Sequence, residues 1–82
     1  MEIREIELEL EGCVRDELYD PLFGDTEVYF RRNVPGPAAW VADGYKKPSA
    51  NVFILYFGDQ RIEGKDAERL MEVGIIGKRE RN

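Results

Sequence analysis

The chain has 82 residues, with 17 acidic and 12 basic side chains, a net charge of −5 and an isoelectric point near 4.7. A chain of this length has room for one hydrophobic core, so we predict a single domain over residues 1–82. The sequence contains no histidine and one cysteine, which excludes Ser-His and Cys-His catalysis, an internal disulfide and a zinc site built by this chain alone.

The first predicted element is a β-strand over residues 5–11. Ile6, Leu8 and Leu10 alternate with glutamates, and an apolar–polar period of two is typical of a strand with one buried face. The other face would carry a row of carboxylates, formed by Glu5, Glu7, Glu9 and Glu11. Such a row attracts cations and basic partners unless a cross-strand arginine such as Arg31 neutralises part of it.

A short helix is predicted over residues 13–19, because Val14 and Leu18 lie one helical turn apart. The Asp20-Pro21 pair ends this helix, since the residue before a proline avoids the helical conformation. Residues 27–32 then alternate as a second strand, with Val28 and Phe30 directed to the core.

A third strand is predicted over residues 40–42, followed by a type I′ turn at Asp43-Gly44. The segment 45–50 contains Pro48, which lacks a backbone donor, so we predict the longest candidate functional loop there. Val52–Phe57 is the longest unbroken apolar run in the chain. We interpret it as the central strand of the sheet, covered on both faces.

The last third of the chain predicts a hairpin and a helix. Gly58-Asp59 is a two-residue turn before a short strand at residues 60–63. Residues 65–73 form the firmest predicted helix, which Gly74 ends as a C-terminal cap. Residues 75–76 indicate an edge strand.

These elements predict an α+β domain with a mostly antiparallel sheet, one firm C-terminal helix and a short N-terminal helix packed on one face. A ferredoxin-like β-α-β-β-α-β arrangement is the alternative. Residues 79–82 are expected to be a frayed, solvated tail.

The location and the class of protein follow from composition. No run approaches the roughly 20 apolar residues of a membrane span, and the acidic start lacks a signal peptide, so a cytoplasmic protein is expected.

The lone Cys13 is expected to be a small buried hydrophobe. Charged residues make up 35% of the chain, a bias typical of thermostable proteins from thermophiles. A small domain has little room for a deep pocket, so we expect no enzyme.

The main functional hypothesis is a weak calcium site in the acidic loop 16–27. Calcium prefers carboxylate and carbonyl oxygens on a flexible loop, and histidine is absent as a competing ligand type. The predicted ligands are Asp16, Glu17, Asp20, Asp25 and Glu27. Leu18 and Pro21 occupy positions where an EF-hand needs a ligand and a glycine, so this is no EF-hand. We expect a Kd no better than about 10⁻⁴–10⁻³ M.

Two other functions compete with the calcium hypothesis. One is a protein-interaction module that presents the acidic face to a basic protein partner. The other is single-stranded RNA binding through neighbouring aromatic and basic side chains. The residues for RNA binding would be Tyr29, Arg31, Arg32, Tyr45, Lys46 and Lys47. The negative net charge makes nucleic acid the least favoured partner.

Overall fold

The structure is a computed structural model that describes residues 1–47 and 52–78. Within these ranges, two helices and six strands follow one another in the order α1-β1-β2-β3-β4-β5-α2-β6. Their bounds are α1 Ile3–Glu11, β1 Cys13–Asp20, β2 Asp25–Arg32, β3 Trp40–Lys47, β4 Val52–Phe57, β5 Gln60–Glu63, α2 Gly64–Leu70 and β6 Ile75–Lys78. In these two ranges, neither helix is long and apolar enough to cross a membrane.

All six strands belong to one sheet, in the order β5-β4-β3-β2-β1-β6. Only the β1–β6 pair is parallel, and the other pairs are antiparallel. Both helices pack on the same face, because one cluster of buried side chains joins them to alternate strand residues. The predicted α+β class with a mostly antiparallel sheet is therefore confirmed. The element order differs from the ferredoxin-like alternative.

The hydrophobic core lies between the two helices and the sheet. Its largest fully buried side chains are Phe30, Ile6, Leu10, Leu55 and Leu70. Burying each such side chain stabilises the fold by about 1.5–3 kcal/mol. Cys13 belongs to the same cluster, as expected of a small apolar side chain.

The N-terminal segment is a helix, so the predicted strand over residues 5–11 is wrong. Ile3, Ile6 and Leu10 recur at spacings of three and four residues, which directs them to one side of α1. Leu8, which a strand would place in the core, is 57% exposed. The sequence carries both periods, and leucine and glutamate favour a helix. The four glutamates are therefore distributed around α1 and form no ladder on a sheet.

The segment 13–19 lies within β1, so the predicted short helix is also wrong. β1 pairs with β2 on one side and with β6 on the other. Its first four residues are all buried, so the side chains on both faces of β1 are shielded from solvent over this part of the strand. Two of these four are Arg15 and Asp16. Because these two residues are charged, the sequence of β1 contains no continuous apolar run that would predict a buried strand.

β3 continues through Asp43 and Gly44, so the predicted turn there is wrong. Gly44 permits close packing instead: a Cβ at this position would lie 2.7 Å from Leu55 Cδ1 and 2.7 Å from Met71 Cε. Of the predicted loop 45–50, residues 45–47 belong to β3. The rest of that segment lies outside the described residues.

Val52–Phe57 is a strand, as predicted, but it is covered on one face only. β4 lies between β3 and β5, one position from the edge of the sheet. Leu55 is fully buried, whereas Tyr56 on the opposite face is 45% exposed. The prediction of a central strand covered on both faces is wrong; burial on both faces occurs instead over the first four residues of β1, which is also one position from the edge of the sheet.

The other predicted elements are confirmed with adjusted bounds. β2 alternates as predicted, with Phe30 directed to the core. Gly58 begins the turn between β4 and β5 with a positive φ of 60°. α2 ends at Leu70, earlier than predicted, and Gly74 follows with φ 95°. β6 is an edge strand, and the predicted tail at 79–82 lies outside the described residues.

Candidate binding surface

The sheet has one face that the helices leave uncovered, called the open face below. Because side chains alternate along a strand, the residues between the core positions point away from the helices. The open face is formed by Val14, Asp16, Leu18, Glu27, Tyr29, Arg31, Asp43, Tyr45, Ile54, Tyr56, Arg61 and Glu63. Tyrosines and carboxylates dominate its centre.

The strand register arranges these side chains in transverse rows. One row crosses β1 to β5 in the order Asp16, Tyr29, Asp43, Tyr56 and Arg61. Directly opposed residues of neighbouring strands have Cβ atoms about 4.5–5.5 Å apart. Each tyrosine of this row therefore has an aspartate as its direct cross-strand neighbour on at least one side.

The next row of side chains on the open face also places a tyrosine beside a carboxylate. It runs through Leu18, Glu27, Tyr45, Ile54 and Glu63. The two rows are offset so that the Glu27–Tyr45 pair lies beside the Tyr29–Asp43 pair on the same two strands, β2 and β3. Acidic and aromatic side chains thus alternate in both directions on the open face.

A pocket of about 320 Å³ lies at the centre of the open face. Its lining residues are Glu27, Tyr29, Asp43, Gly44, Tyr45 and Tyr56. The Tyr29 hydroxyl donates a hydrogen bond to Glu27 Oε2. The ring of Trp40 packs beside that of Tyr29, with centroids 5.3 Å apart and planes inclined by 59°. These two contacts orient the Tyr29 ring.

The pocket carries net negative charge. On its flanks, Arg31 Nε lies 3.0 Å from Asp16 Oδ2, and Arg61 Nη2 lies 2.5 Å from Glu63 Oε1. These pairs neutralise the charges at the two ends of the rows. Among the residues whose side chains the structure describes (1–46 and 52–77), no cationic side chain forms an ion pair with Glu27 or Asp43. Two carboxylates without an ion pair to these residues therefore lie among three tyrosine rings.

This combination suits a cationic ligand. An aromatic ring attracts a cation to its face, with about 0.5–1 kcal/mol at an exposed site and about 2 kcal/mol in a drier one. Carboxylates beside the rings add Coulombic attraction and accept hydrogen bonds from ammonium or guanidinium groups. A phosphate or another anion would instead meet two negative charges.

The predicted calcium residues are distributed over a β-hairpin. β1 and β2 form its arms, so the segment 16–27 is mostly strand with a turn at residues 21–24. Asp16 is 5% exposed and bound to Arg31. Glu17 lies on the opposite face, with Oε1 3.2 Å from Arg15 Nε. Neither carboxylate points to the turn.

The other three predicted ligands lie closer together. Asp20 and Asp25 are register partners at the end of the hairpin, and Asp20 Oδ1 accepts a hydrogen bond of 2.9 Å from the Leu22 amide. Glu27 follows on the same face, where Tyr29 binds it. Among the described residues, no group of three or more His, Cys, Asp or Glu side chains is placed to hold a metal ion. The calcium site stays a prediction.

The glutamates of α1 bind arginines of the same chain. Glu9 Oε1 lies 2.9 Å from Arg32 Nη1 on β2, and Glu7 Oε1 lies 3.4 Å from Arg69 Nη2 on α2. Both pairs connect α1 to neighbouring elements. The charge that the sequence assigns to this segment is therefore partly neutralised.

The aromatic–basic set predicted for RNA is divided between the two faces. Tyr29, Arg31 and Tyr45 lie on the open face. Lys46 lies on the helix-covered face, with Nζ 5.2 Å from the centroid of the Phe53 ring. Arg32 lies on that face as well and binds Glu9 of α1. Two of the four predicted basic residues, Arg32 and Lys46, therefore lie on the other face from the tyrosines, which have Glu27 and Asp43 as cross-strand neighbours.

Two residues of the pocket were missed by sequence reasoning. Asp43 was assigned to a turn because glycine follows it. Tyr56 was assigned to a strand covered on both faces, although its hydroxyl is the single polar group in the run Val52–Phe57. That hydroxyl is the signal that could have placed Tyr56 on a solvated face.

The fold and this surface define a small α+β domain with a two-helix layer on one side of a six-stranded sheet and an acidic, tyrosine-rich face on the other. No known protein family, curated protein or solved structure matches the chain.

Proposed function

We propose that this protein is a binding module that takes a basic segment of a partner protein on its open face, with a lysine or arginine side chain in the central pocket. The observation that carries the proposal is the position of two carboxylates, Glu27 and Asp43, in a pocket walled by three tyrosines, with no ion pair to any side chain that the structure describes. A net charge of −5 adds long-range attraction for a basic partner.

The size and shape of the pocket support a side chain as the occupant. A volume of about 320 Å³ lies at the small end of the range for ligand sites. The pocket opens on a broad sheet surface, which has room for the backbone of an extended peptide on both sides. Tyr56 is 45% exposed and Trp40 is 48% exposed, and such large apolar residues are typical of protein-interaction surfaces.

Binding of a lysine-rich peptide of about ten residues tests the proposal. We expect saturable amide shifts at Tyr29, Asp43 and Tyr56 in ¹H–¹⁵N spectra, and an affinity that falls as salt rises. The double variant Glu27→Gln/Asp43→Asn should weaken binding by about tenfold or more, since hydrogen bonds to charged groups contribute about 1.5–3 kcal/mol.

The matched control changes the same charge on the other side of the molecule. Glu5 and Glu11 are exposed on α1, so Glu5→Gln/Glu11→Gln removes two negative charges far from the open face. This control should change the affinity by less than about threefold. An equal loss in both double variants would show that the peptide responds to net charge alone, which would contradict the proposed site. Tighter binding of a short single-stranded RNA would also contradict it.

A further inference from the structure

Asp43 lies at the centre of the open face, with a tyrosine on each of three sides. Tyr29 on β2 and Tyr56 on β4 are its direct register partners, and opposed residues of neighbouring strands have Cβ atoms about 4.5–5.5 Å apart. Tyr45 is two positions further along β3 on the same face, about 6.6 Å away. All four residues line the central pocket. An exposed carboxylate is thus flanked by aromatic side chains from three strands.

Two contacts hold one of these rings in place. The Tyr29 hydroxyl donates a hydrogen bond to Glu27 Oε2, and the Trp40 ring packs beside the Tyr29 ring with centroids 5.3 Å apart. A ring that is fixed before a ligand arrives loses little side-chain entropy on binding. Glu27 adds a second negative charge beside the rings, with one oxygen already engaged by the Tyr29 hydroxyl. The pocket therefore combines preformed aromatic surface with negative charge.

The chemistry of these walls discriminates among positively charged groups. A primary ammonium is a compact, strongly hydrated charge with three N–H donors. Ring faces accept such donors only weakly, so tyrosine walls replace few of the hydrogen bonds that the ammonium makes to water. Removing a polar group from water without full replacement of its hydrogen bonds is unfavourable. An unmodified lysine therefore enters this pocket at a cost in hydration.

Methylation of the lysine nitrogen removes this cost. A trimethylammonium group keeps the full positive charge but has no N–H donor to satisfy. Its methyl groups are apolar and pack on ring faces, and aromatic pockets are a recurrent means of binding quaternary ammonium groups. Asp43 attracts the charge through Coulombic interaction, which requires no hydrogen bond. The combination of three tyrosines and a carboxylate therefore favours a methylated ammonium group over a primary one.

The surroundings of the pocket favour a group carried by a peptide over a free small molecule. A volume of about 320 Å³ accommodates a methylated ammonium group with part of an alkyl stem. Trp40 and Tyr56 extend exposed aromatic surface beyond the pocket. A small quaternary ammonium molecule would leave this surface in contact with water, whereas the residues on either side of a lysine would cover it.

We propose that the central pocket recognises a methylated lysine of the partner segment and binds trimethyllysine more tightly than lysine. This inference rests on the proposed function, since it names the side chain that the basic segment places in the pocket. The trimethylammonium group lies over Asp43, between the rings of Tyr29, Tyr45 and Tyr56. The alkyl stem leads out to the partner backbone on the open face.

Three peptides that differ at one position test this inference. They share one sequence of about ten residues in which the other cations are arginines. The central residue is lysine, trimethyllysine or the neutral analogue that has carbon in place of the trimethylated nitrogen. In ¹H–¹⁵N titrations of the whole chain, trimethyllysine should bind about fivefold more tightly than lysine and about tenfold more tightly than the neutral analogue. Lysine and trimethyllysine carry equal charge, so long-range attraction is the same for both peptides.

Substitutions at Tyr56 separate an aromatic contact from simple bulk. Tyr56 is an exposed residue of the open face, so its replacement leaves the core intact. Tyr56→Phe keeps the ring and should keep the preference for trimethyllysine. Tyr56→Leu removes the ring and should reduce the preference to about twofold or less. Tyr19→Leu is the matched control and should leave the preference unchanged, because Tyr19 is also exposed but does not line the pocket.

The outcomes distinguish this inference from the proposed function. If lysine binds as tightly as trimethyllysine, with saturable shifts at Tyr29, Asp43 and Tyr56, the methyllysine assignment is overturned and the module for basic segments stands. Absence of a saturable shift with all three peptides would contradict both. Choline tests for a free small molecule as the ligand. Choline binding as tight as that of the trimethyllysine peptide would overturn the assignment to a partner segment.

Discussion

Gly44 on β3 and Leu55 on β4 are direct register partners, and a Cβ built on Gly44 would lie 2.7 Å from Leu55 Cδ1. The same Cβ would lie 2.7 Å from Met71 Cε and 3.2 Å from the Ile54 carbonyl oxygen. The absence of a side chain at Gly44 therefore allows the end of the second helix to approach the sheet. It also places Asp43 within a continuous strand and so fixes its position in the open-face pocket.

The first prediction concerns this close approach. Gly44→Ala should lower the free energy of unfolding by about 1–2 kcal/mol, because Leu55 is fully buried and cannot move aside without disturbing the core. Gly12→Ala is the control, since a Cβ there has no atom within 4 Å. Urea denaturation of both variants checks the prediction. A Gly44→Ala protein as stable as the parent would contradict the packing described for this site.

The second prediction concerns the buried ion pair at the edge of the open face. Asp16 is 5% exposed, and its Oδ2 accepts a hydrogen bond of 3.0 Å from Arg31 Nε. Arg31→Met should destabilise the protein by about 1–3 kcal/mol, because it leaves a buried carboxylate without its partner. Arg61→Met removes an arginine from an exposed pair with Glu63, and should cost less than about 0.5 kcal/mol. Comparable losses in the two variants would be inconsistent with the burial of Asp16.

The third prediction concerns the single thiol. Burial raises the pKa of Cys13, the charge of Glu9 raises it further, and Arg32 opposes this shift. The thiol also donates a hydrogen bond of 3.3 Å to the Glu9 carbonyl oxygen. Iodoacetamide should therefore modify Cys13 slowly in the native protein at neutral pH and quickly in denaturant. Rapid modification of the native protein would contradict the assigned burial.

The same pKa shift predicts a pH dependence of stability. A folded-state pKa above the unfolded value means that the protonated thiol stabilises the fold at pH values below the unfolded pKa. This contribution should be lost as the pH rises from the ordinary thiol value of about 8.5 through the higher folded-state pKa. Cys13→Ala lacks the thiol, so its unfolding free energy should fall less steeply over this alkaline range than that of the parent.

The fourth prediction tests the calcium hypothesis. If the acidic hairpin binds calcium, titration should give saturable amide shifts confined to residues 16–27, with a Kd of about 10⁻⁴–10⁻³ M. Asp20→Asn/Asp25→Asn should abolish these shifts, because these two carboxylates are register partners at the end of the hairpin. Asp16→Asn is the informative comparison, since that side chain is bound to Arg31. Absence of a localised, saturable change would end the hypothesis.

The fifth prediction concerns thermal stability. The high content of charged residues predicts a melting midpoint above about 60 °C, beyond the usual range for a mesophilic domain of this size. Two ion pairs connect α1 to the rest of the fold, Glu9 with Arg32 and Glu7 with Arg69. High salt should therefore lower the midpoint by a few degrees. A midpoint near 50 °C in low salt would contradict the prediction.

Several elements of the fold could be predicted from local patterns. β2, the Gly58-Asp59 turn, β5, the second helix and the edge strand β6 all follow from periodicity and turn residues in the sequence. Each depends on interactions between residues close in the chain, which the sequence displays directly. The α+β class follows from the number and order of such elements.

The errors occur where distant parts of the chain decide the structure. Residues 5–11 fit both a strand and a helix, and the contact of Ile6 and Leu10 with the core selects the helix. Residues 13–20 become a strand because β2 and β6 bind them from both sides. Gly44 indicates a turn in isolation and a close approach in the folded chain.

The sequence by itself determined the chemistry that is available: carboxylates and aromatic rings are plentiful, and imidazole is absent. Only the tertiary structure decided which of these groups meet. Glu27 and Asp43 come from parts of the chain to which the sequence assigns a loop ligand and a turn, and pairing of β2 with β3 brings them into one pocket with Tyr56 of β4. The reason is physical, because strand register is fixed by burial of the opposite face, and that burial depends on helices far away in the sequence.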